Sequence, residues 1–591
     1  MQVSFDQIIV FVVIAFIIVS LYKEYIGPAF TFLIGVLTLG VFGIIEPQEI
    51  MNGFANEQIA VIVLLLLLGD IIRRTSIIDN FFNKVFGVNM SKRTFVLKMS
   101  VLVASMSAFF NNTPLVAVMM PYVSNWSKTN NVAPSKLLIP LSYAAILGGS
   151  ATLIGTSTNL IVNGLVLDQE VFPGLESLKL FDFVYVGLPM AIIGILYLTF
   201  ISDYLLPSRK GNIEQFNSEA QNYIVEAQIR KNSKLIGKTV EEAHLRNLEG
   251  LYLVEIIRGN HRYKSISPDV ILLEGDYLYF AGQTEMVADL VGIDGLTFPE
   301  MGLLKRKKST DIVEIVITHN STLISKTVKQ ANFRGKYDAA IIGIQRNGEH
   351  IVEKIGSVQL KAGDVLLLMA GSDLTKRDEI IDFYFISKVK ELRDIEPYKA
   401  VVLIGGAILA IVLSALGYIS LFLALMLLFI PILGLKIASP KDVHRNIDYN
   451  LILIIVMSLA LGAAMVKTGV AELISHAVID VFSGLGPIGI LTGVYIVTSI
   501  LAAYITNKAA VAIIFPVALT LAHELHVNPM PFILVVAFAS AANFMTPIGY
   551  QTNLMIYGPG AYKFKDFFKV GFPLTVIYMI VTILILQAIY F

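Results

Sequence analysis

Two stretches near opposite ends of the chain repeat one another: FFNNTPLVAVMMP at 109–121 and YITNKAAVAIIFP at 504–516. Their central asparagines, Asn112 and Asn507, align when the stretches are superimposed. Both stretches are otherwise apolar, and polar groups inside a hydrophobic hairpin are costly unless they line a site. The pair therefore predicts two re-entrant hairpins in a membrane protein.

The composition predicts the same class. The chain has 591 residues, of which 55% are hydrophobic and 15% charged, and its mean hydropathy is +0.71. These values are too apolar for a soluble protein of this size. A net charge of +0 argues against a nucleic-acid partner, and the absence of cysteine excludes disulfides and thiolate metal sites. We interpret the first apolar stretch, near 8–21, as a retained span, because it lacks a basic start and a small-residue cleavage site.

The repeat extends well beyond the two hairpins. Gly155 aligns with Gly549, and Thr158-Asn159 aligns with Thr552-Asn553. Further aligned pairs are Asp182 with Asp566, Gly187 with Gly571 and Pro189 with Pro573. So many collinear matches indicate one unit that was duplicated around an inserted middle.

Each copy contains five apolar segments near the ~20 residues that a spanning helix needs. They lie near 7–21, 27–45, 57–74, 136–165 and 184–206 in the first copy, and near 399–416, 418–436, 449–467, 529–558 and 570–590 in the second. The hairpins occupy 94–124 and 486–517. An odd number of crossings inverts the second copy relative to the first. We therefore predict a polytopic α-helical membrane protein with two inverted repeats, 1–206 and 397–591, each with five spans and a re-entrant hairpin.

Loop charges predict the orientation in the membrane. Basic residues gather in loops of one predicted side: Arg73, Arg74, Lys84, Lys92, Arg93, Lys436, Lys441, Arg445, Lys563, Lys565 and Lys569. The opposite loop 46–57 carries three glutamates and no Lys or Arg. By the positive-inside rule, the basic loops face the cytoplasm. We expect a cell (inner or plasma) membrane protein with both termini outside and the central insert inside.

The central insert, 207–396, has dense charge and apolar runs of strand length only. It repeats internally without gaps, so that Arg258 aligns with Arg346 and Gly275-Asp276 with Gly363-Asp364. Strand patterns followed by a Gly-Asp turn predict two small α+β domains, at 207–300 and 301–396.

The two insert copies resemble the C-terminal ligand-sensing domain of regulators of potassium conductance, called RCK_C or TrkA-C. The resemblance rests on their hydrophobic spacing and on the Gly-Asp turns at Gly275 and Gly363. It implies pairing across a twofold axis and binding of a small regulator, cyclic di-AMP or a similar nucleotide. The tandem could regulate the protein or only join a homodimer.

Each hairpin tip faces a polar interruption in a later apolar segment. These interruptions are 148–159 and 543–553, rich in Gly, Ser, Thr and Asn. Exposed helix N-termini carry partial positive charge and suit an anion. Neutral side-chain and carbonyl oxygens suit sodium. Two such cups meeting near the membrane midplane predict a binding site with alternating access.

At these residues the chain resembles the divalent anion:sodium symporters of the ion transporter superfamily, which mark each hairpin tip with Ser-Asn-Thr. The tips here are Asn111-Asn112-Thr113 and Thr506-Asn507-Lys508, so both central asparagines are kept and three flanking positions depart. The resemblance implies substrate contacts from Asn111, Asn112, Thr113, Thr506, Asn507, Lys508, Thr546 and Pro547. It implies sodium contacts from Asn112, Gly155, Thr158, Asn159, Asn507, Gly549, Thr552 and Asn553. It also implies a homodimer and an elevator motion of the hairpins and broken helices against a scaffold.

Lys508 is the largest departure from the family pattern. A lysine within the membrane costs about 2.5–3.5 kcal/mol on insertion scales, so it should have a partner or a function. Three roles stay open: a ligand of the anion, a fixed charge that replaces the second sodium, or a side chain that reaches the extracellular side.

We predict a sodium-coupled secondary transporter for a divalent anion, with sulfate favoured and no cofactor other than the coupling ions. One alternative is a C4-dicarboxylate (succinate-like) transporter or exchanger of the same fold. A second is a sodium/proton antiporter, which would need a titratable carboxylate in the core, and Asp70 is the one acid at the membrane edge that could supply it. No Walker A sequence, nucleophile or acid/base group indicates an enzyme. His523 and Glu524 have no second histidine at ligand spacing along the chain, so we expect no metal other than sodium.

Overall fold

The computed structural model describes residues 4–23, 26–73, 90–209, 396–439 and 449–591, and, with short gaps, 224–297 and 312–386. Among the basic residues used above to predict orientation, Arg74, Lys84, Lys441 and Arg445 lie outside the described residues, and so does the side chain of Arg73.

The described part of the first half is helical. Its helices are α1 (Phe5–Lys23), α2 (Pro28–Val41), α3 (Pro47–Phe54), α4 (Glu57–Arg73), α5 (Lys92–Ser107), α6 (Asn112–Thr129), α7 (Leu138–Gly149), α8 (Ser157–Asp168), α9 (Val184–Phe200) and α10 (Ser202–Leu205). The short helix α3 lies where the sequence predicted only a loop. Pro47 opens it, and the Glu49 side chain accepts a hydrogen bond from the Glu46 N–H at 2.6 Å, so local capping stabilises this turn.

After the sheet domains, which contain the short helix α11 (Phe333–Tyr337), the second half is helical again. Its helices are α12 (Pro397–Ala415), α13 (Leu421–Gly434), α14 (Tyr449–Lys467), α15 (Val470–Phe482), α16 (Gly486–Tyr504), α17 (Asn507–Glu524), α18 (Met530–Ala541), α19 (Gln551–Tyr557) and α20 (Phe564–Tyr590). The backbone is interrupted between α7 and α8 and again between α18 and α19.

The protein is a polytopic helical membrane protein. Six helical segments in the described residues are long and apolar enough to cross a membrane: Phe5–Lys23, Pro47–Ile72, Pro397–Ala415, Tyr449–Lys467, Gly486–Tyr504 and Phe564–Tyr590. Shorter apolar helices accompany them. Large apolar side chains point outward along these helices, such as Val401 and Ile430, which are 70% and 67% exposed. Such a surface suits lipid and not water.

The helices of the two halves pack in matching pairs. In the first half α7 contacts α5, α6 and α9, and in the second half α18 contacts α16, α17 and α20. Between the halves, α6 contacts α19 as α17 contacts α8. The helix contacts of the first half therefore have counterparts in the second half.

Two aligned glycines allow a helix to lie against each interruption. A Cβ at Gly187 of α9 would collide with the backbone of Ser150 and Ala151, and one at Gly571 of α20 would collide with the carbonyl of Phe544. Only glycine lets two backbones approach this closely. The aligned glycines thus let α9 and α20 pack directly against the two interruptions.

The described residues of the central insert form two five-stranded sheets with equivalent order. The first consists of β1 (Ile224–Ile229), β2 (Leu251–Arg258), β3 (His261–Tyr263), β4 (Tyr277–Gly282) and β5 (Leu296–Thr297), in the order β3-β2-β4-β1-β5. The second consists of β6 (Ile312–Ile317), β7 (Ala339–Arg346), β8 (Glu349–His350), β9 (Val365–Ala370) and β10 (Phe383–Phe385), in the order β10-β6-β9-β7-β8. All named neighbours are antiparallel.

The aligned Arg and Asp residues of the insert form the same clasp in each sheet. Arg258 donates to both oxygens of Asp276 at 2.8 Å, and Arg346 donates to both oxygens of Asp364 at 2.7 Å. Both aspartates are buried, and bidentate pairing compensates a buried carboxylate. The clasp fixes the Gly-Asp turn against the strand that carries the arginine.

Candidate binding site

The first hairpin tip places Asn112 at the start of α6, where it is 1% exposed. The single hydroxyl proton of Ser107 is donated to the Ala145 carbonyl at 2.8 Å. The Asn112 amide nitrogen therefore faces Ser107 Oγ, and it also lies 3.2 Å from the Gly155 carbonyl. Its oxygen then accepts from the Tyr550 hydroxyl at 2.5 Å. Asn112 thus joins its own interruption to that of the other half.

The first interruption is held by three hydrogen bonds around Thr152. The Thr152 hydroxyl donates to the Ala108 carbonyl at the hairpin tip. The Gly155 N–H donates to Thr152 Oγ1 at 3.2 Å, and the Asn159 amide donates to the Thr152 carbonyl at 2.8 Å. We call this group the first cup.

The second interruption repeats those three bonds around Thr546, and we call it the second cup. The Thr546 hydroxyl donates to the Ala503 carbonyl at 2.8 Å. The Gly549 N–H donates to Thr546 Oγ1 at 3.3 Å, and the Asn553 amide donates to the Thr546 carbonyl at 3.1 Å. Each Thr–Gly–Asn set ties a broken helix to its own hairpin.

The cups differ at the carboxamide oxygens of their asparagines. Asn553 Oδ1 accepts a hydrogen bond from the Ser142 hydroxyl at 2.7 Å, and Ser142 lies 2.7 Å from the Thr552 hydroxyl as well. Asn159 Oδ1 is buried, and no donor among the described residues reaches it. A buried carbonyl oxygen without a donor costs about 1–3 kcal/mol, unless an ion or water binds it.

The second hairpin tip is capped by Thr506, whose side chain accepts from the Ala509 N–H at 3.2 Å. Asn507 is buried, and its Oδ1 lies 3.4 Å from the amide nitrogen of Asn543, which also donates to the Ala502 carbonyl at 2.7 Å. Lys508 follows in the first turn of α17, where it is half-buried.

Residues of both halves meet at Tyr550. The Tyr550 hydroxyl that bonds Asn112 also lies 3.5 Å from the hydroxyl of Thr156, the residue before α8. One residue away in each half, the Thr113 hydroxyl donates to Gln551 Oε1 at 3.0 Å. The N-termini of α6 and α8 therefore approach one point, and within the described residues neither has a side-chain cap. Two helix N-termini that meet in this way attract an anion.

The structure brings most of the residues predicted for the site into these groups. Asn112, Gly155 and Asn159 lie in or beside the first cup, and Asn507, Thr546, Gly549 and Asn553 lie in or beside the second. Of the others, Thr113 bonds Gln551, Asn111 is the N-cap of α6, Thr506 is the N-cap of α17, and Thr158, Pro547 and Thr552 are buried next to cup residues.

The sequence did not single out Ser142, and it placed Thr152, Asn543, Tyr550 and Gln551 within the predicted interruptions 148–159 and 543–553 without assigning them a role. Thr152 aligns with Thr546, so the repeat itself contained that signal. Three of these residues act through contacts between distant segments: Ser142 bonds Asn553, Tyr550 bonds Asn112, and Gln551 accepts from Thr113.

A charged cluster outside the two cups adds a histidine that chain spacing did not reveal. His476 Nε2 lies 3.7 Å from a carboxylate oxygen of Glu524 and 3.9 Å from one of Glu472. His476 belongs to α15 and Glu524 to α17, so only the fold brings them together. His476 and Glu472 are exposed, so the three side chains form a cluster at the protein surface.

The cups therefore lie within a helical membrane protein, at interrupted helices, and the side chains that form their hydrogen bonds are neutral. Neutral oxygens and helix N-termini at broken helices are the binding chemistry of membrane transporters.

Comparison with known proteins agrees with this class. The Citrate transporter family matches residues 9–482 and 400–591. The chain is 32% identical to a Chlamydomonas reinhardtii protein named as a regulator of the sulfur deprivation response, over 92% of this chain and 94% of that protein. It is 32% identical to an uncharacterized transporter of Synechocystis sp., over 98% and 96% of the two chains. It is 24% identical to sodium/sulfate cotransporter 1 of Chlamydomonas reinhardtii, over 97% and 88%. The chain belongs to the Citrate transporter family, and it is a transporter and not an enzyme.

Proposed function

We propose that this protein is a sodium-coupled secondary transporter of a divalent anion, with sulfate as its substrate. Two similar proteins carry names that point to this chemistry: one is called a sodium/sulfate cotransporter, and another is named for the response to sulfur deprivation. Both are similar to this chain over nearly its whole length.

The observation that carries sodium coupling is the oxygen Oδ1 of Asn159. It is buried in the first cup beside the Thr152 backbone, where only neutral groups were found. A sodium ion would supply the positive partner that this oxygen lacks among the described residues. In the second cup Ser142 already bonds the equivalent oxygen of Asn553, so we propose that a second ion there binds more weakly or is replaced by Lys508.

The anion would bind where α6 and α8 meet Tyr550. The helix N-termini supply backbone N–H donors and partial positive charge, and the Tyr550 hydroxyl positions Asn112 beside them. Thr113 and Gln551 lie beside them. Such a site suits a compact, fully ionised dianion.

We propose the inverted-repeat topology with both termini outside. Contacts near the helix ends form two sets that support it. On the proposed cytoplasmic side, Lys92 pairs with Asp203 at 2.7 Å and Arg209 pairs with Asp566 at 2.6 Å. On the proposed outer side, Gln7 donates to the Thr468 carbonyl at 3.0 Å, Lys467 lies 3.3 Å from Glu49, and Phe172 packs against His523.

The domain boundaries are part of the same proposal: transmembrane repeats at 1–206 and 397–591, and cytosolic RCK_C-like domains at 207–300 and 301–396. The matched strand orders and the Arg–Asp clasps support two equivalent small domains. We propose that they bind a nucleotide regulator such as cyclic di-AMP, that the protein is a homodimer, and that the cups move as an elevator.

Uptake into liposomes that contain the purified protein tests the substrate. We expect labelled sulfate to accumulate under an inward sodium gradient and not under a potassium gradient. Labelled succinate and labelled citrate are measured in parallel, because the family bears the name of a carboxylate. Accumulation of a carboxylate in place of sulfate would contradict the substrate, and accumulation that ignores sodium would contradict the coupling.

The role of Lys508 is tested by Lys508→Thr. If Lys508 replaces a second sodium, the variant gains a site and its sodium Hill coefficient rises. An unchanged coefficient counts against this role, and a weaker apparent affinity for sulfate would assign the lysine to the anion. Lys467→Thr is the matched control, because Lys467 lies at the end of α14 and pairs with Glu49 on the surface.

A further inference from the structure

The second sheet domain packs against the membrane helices. Val316, Val365 and Ile386 of this domain are buried, and they belong to the same apolar core as the membrane helices. The rest of the domain has a separate core of its own around Ile315 and Leu366. The side of the second sheet that carries Val316 and Val365 is thus shared with the helices.

The contact lies at the end of α19. A Cβ built on Gly558, the residue after α19, would lie 3.1 Å from the Gly363 carbonyl oxygen and 3.8 Å from Val365 Cβ. A Cβ built on Gly363 would lie 3.0 Å from the Leu554 side chain. The Gly-Asp turn of the second domain therefore presses directly on α19, and Leu554 is the next residue after Asn553 of the second cup.

The first sheet domain differs at the same positions. Val316 pairs with Val365 in the register of the second sheet, and the equivalent pair in the first sheet is Gln228 with Tyr277. Both valines are buried, whereas Tyr277 is 36% exposed. A Cβ on Gly275, the counterpart of Gly363, would meet nothing within 4 Å among the described residues. The apolar pair occurs only in the copy that is docked.

We propose that the second sheet domain is a brake on transport: it docks on α19 and must release this helix for the cups to move. This inference rests on the proposed function. The helix it holds carries Gln551, Thr552 and Asn553, and the chain leads from the domain to α12, which lies outside the cups. The domain is joined to α12 by the chain and to α19 by the docking contact. While it is docked, it therefore resists movement of α19 relative to α12.

A disulfide across the contact tests the proposal, because the chain has no native cysteine. Val365→Cys with Gly558→Cys places two Cβ atoms 3.8 Å apart, close to the ~3.8 Å mean of disulfides. Tyr277→Cys with Gly558→Cys is the matched control, since Tyr277 holds the equivalent place in the first sheet. Peptide mass measures the crosslink without any need for transport.

We expect the first pair to crosslink within one chain and the control pair not to do so. Oxidation should lower uptake at least tenfold, and a reductant should restore it. Failure to crosslink overturns the docking, and full uptake by the crosslinked protein overturns the brake. If the parent protein accumulates none of the anions tested, the proposed function fails, whereas the crosslink still reports the contact.

The opposite perturbation releases the brake. Val316→Gln with Val365→Tyr gives the second sheet the residue pair of the first, a pair that the same strand register already accommodates. We expect the initial rate of uptake to rise at least twofold with an unchanged sodium requirement. A rate equal to or below that of the parent, in protein that is still folded, would contradict a brake.

Discussion

Asn159→Ala removes Oδ1, the oxygen that we propose as a sodium ligand. Asn159 lies in the first turn of α8 and is 1% exposed. Its amide nitrogen donates to the Thr152 carbonyl at 2.8 Å, and no described donor reaches its oxygen. The substitution therefore deletes one hydrogen bond and one candidate ion ligand.

The loss of the ion ligand and the loss of the hydrogen bond change two different quantities, the sodium affinity and the free energy of unfolding. A hydrogen bond to a charged group contributes about 1.5–3 kcal/mol, and we take this as the value of one neutral sodium ligand. At 1.4 kcal/mol per tenfold, the sodium concentration for half-maximal uptake should rise by about 10- to 140-fold. The free energy of unfolding should change little, because the lost bond to Thr152 is offset by removal of a buried oxygen without a donor.

Asn163→Ala is the matched control for this experiment. Asn163 lies further along α8 and is also 1% exposed, but its Oδ1 accepts from the Leu178 N–H at 2.7 Å. Its loss leaves a buried N–H without a partner, so the protein should unfold more easily while its sodium dependence stays the same.

The assay is the initial rate of labelled sulfate uptake into liposomes as the sodium concentration is varied. Thermal unfolding with and without sodium gives a second reading, since an ion that binds only the folded state raises Tm. An unchanged sodium dependence in folded Asn159→Ala would refute the assignment. An equal change in Asn163→Ala would show that the effect is structural.

Three further predictions follow from the same contacts. Tyr550→Phe removes the hydroxyl that bonds Asn112, so the KM for sulfate should rise about 2- to 12-fold at 0.5–1.5 kcal/mol per hydrogen bond, and a KM within error of the parent would contradict this role. Gly571→Ala forces a methyl group into the Phe544 carbonyl and should lower the uptake rate at least tenfold. Gly405→Ala is the control, because its new Cβ meets nothing closer than 3.9 Å, and this variant should transport normally. Equal rates in the two variants would argue against close packing at the interruption. In the second sheet domain, burial tends to raise the pKa of Asp382, but hydrogen bonds, first among them the one from the Tyr337 hydroxyl, lower that pKa to about 2. Because this folded pKa lies below the ordinary value of 3.8, the stabilisation is present above pH 3.8 and is lost as pH falls toward 2; hydrogen exchange of the domain should show this loss, and Asp382→Asn should abolish it.

Much of the architecture could be predicted from the sequence, because a helix that spans a membrane needs a continuous apolar stretch and such a stretch is visible in the local sequence. Apolar stretches of spanning length, together with an apolar composition, predicted a polytopic helical membrane protein, and this prediction is confirmed. The Gly187 and Gly571 pair was visible by alignment alone, although its reason, contact between backbones, appears only in three dimensions. The inverted repeat and the sodium residues stay predictions that the contacts support.

Other features depend on contacts between distant segments and left no local signal. Tyr550 and Ser142 each form a hydrogen bond with a residue of the other half, so the sequence of one repeat alone does not indicate these contacts. The difference between Asn159 and Asn553 is invisible in sequence, because the two align perfectly and only Ser142 distinguishes their surroundings. Val316 and Val365 looked like ordinary strand residues until their place against α19 was known.

Sodium coupling is tested by measuring labelled sodium and labelled sulfate as they enter the same liposomes. We predict that both ions enter in a fixed ratio and that neither enters without the other. We also predict that Asn159→Ala abolishes both fluxes at low sodium while sparing them at saturating sodium. Sulfate entry without sodium, or sodium entry without an anion, would contradict sodium coupling.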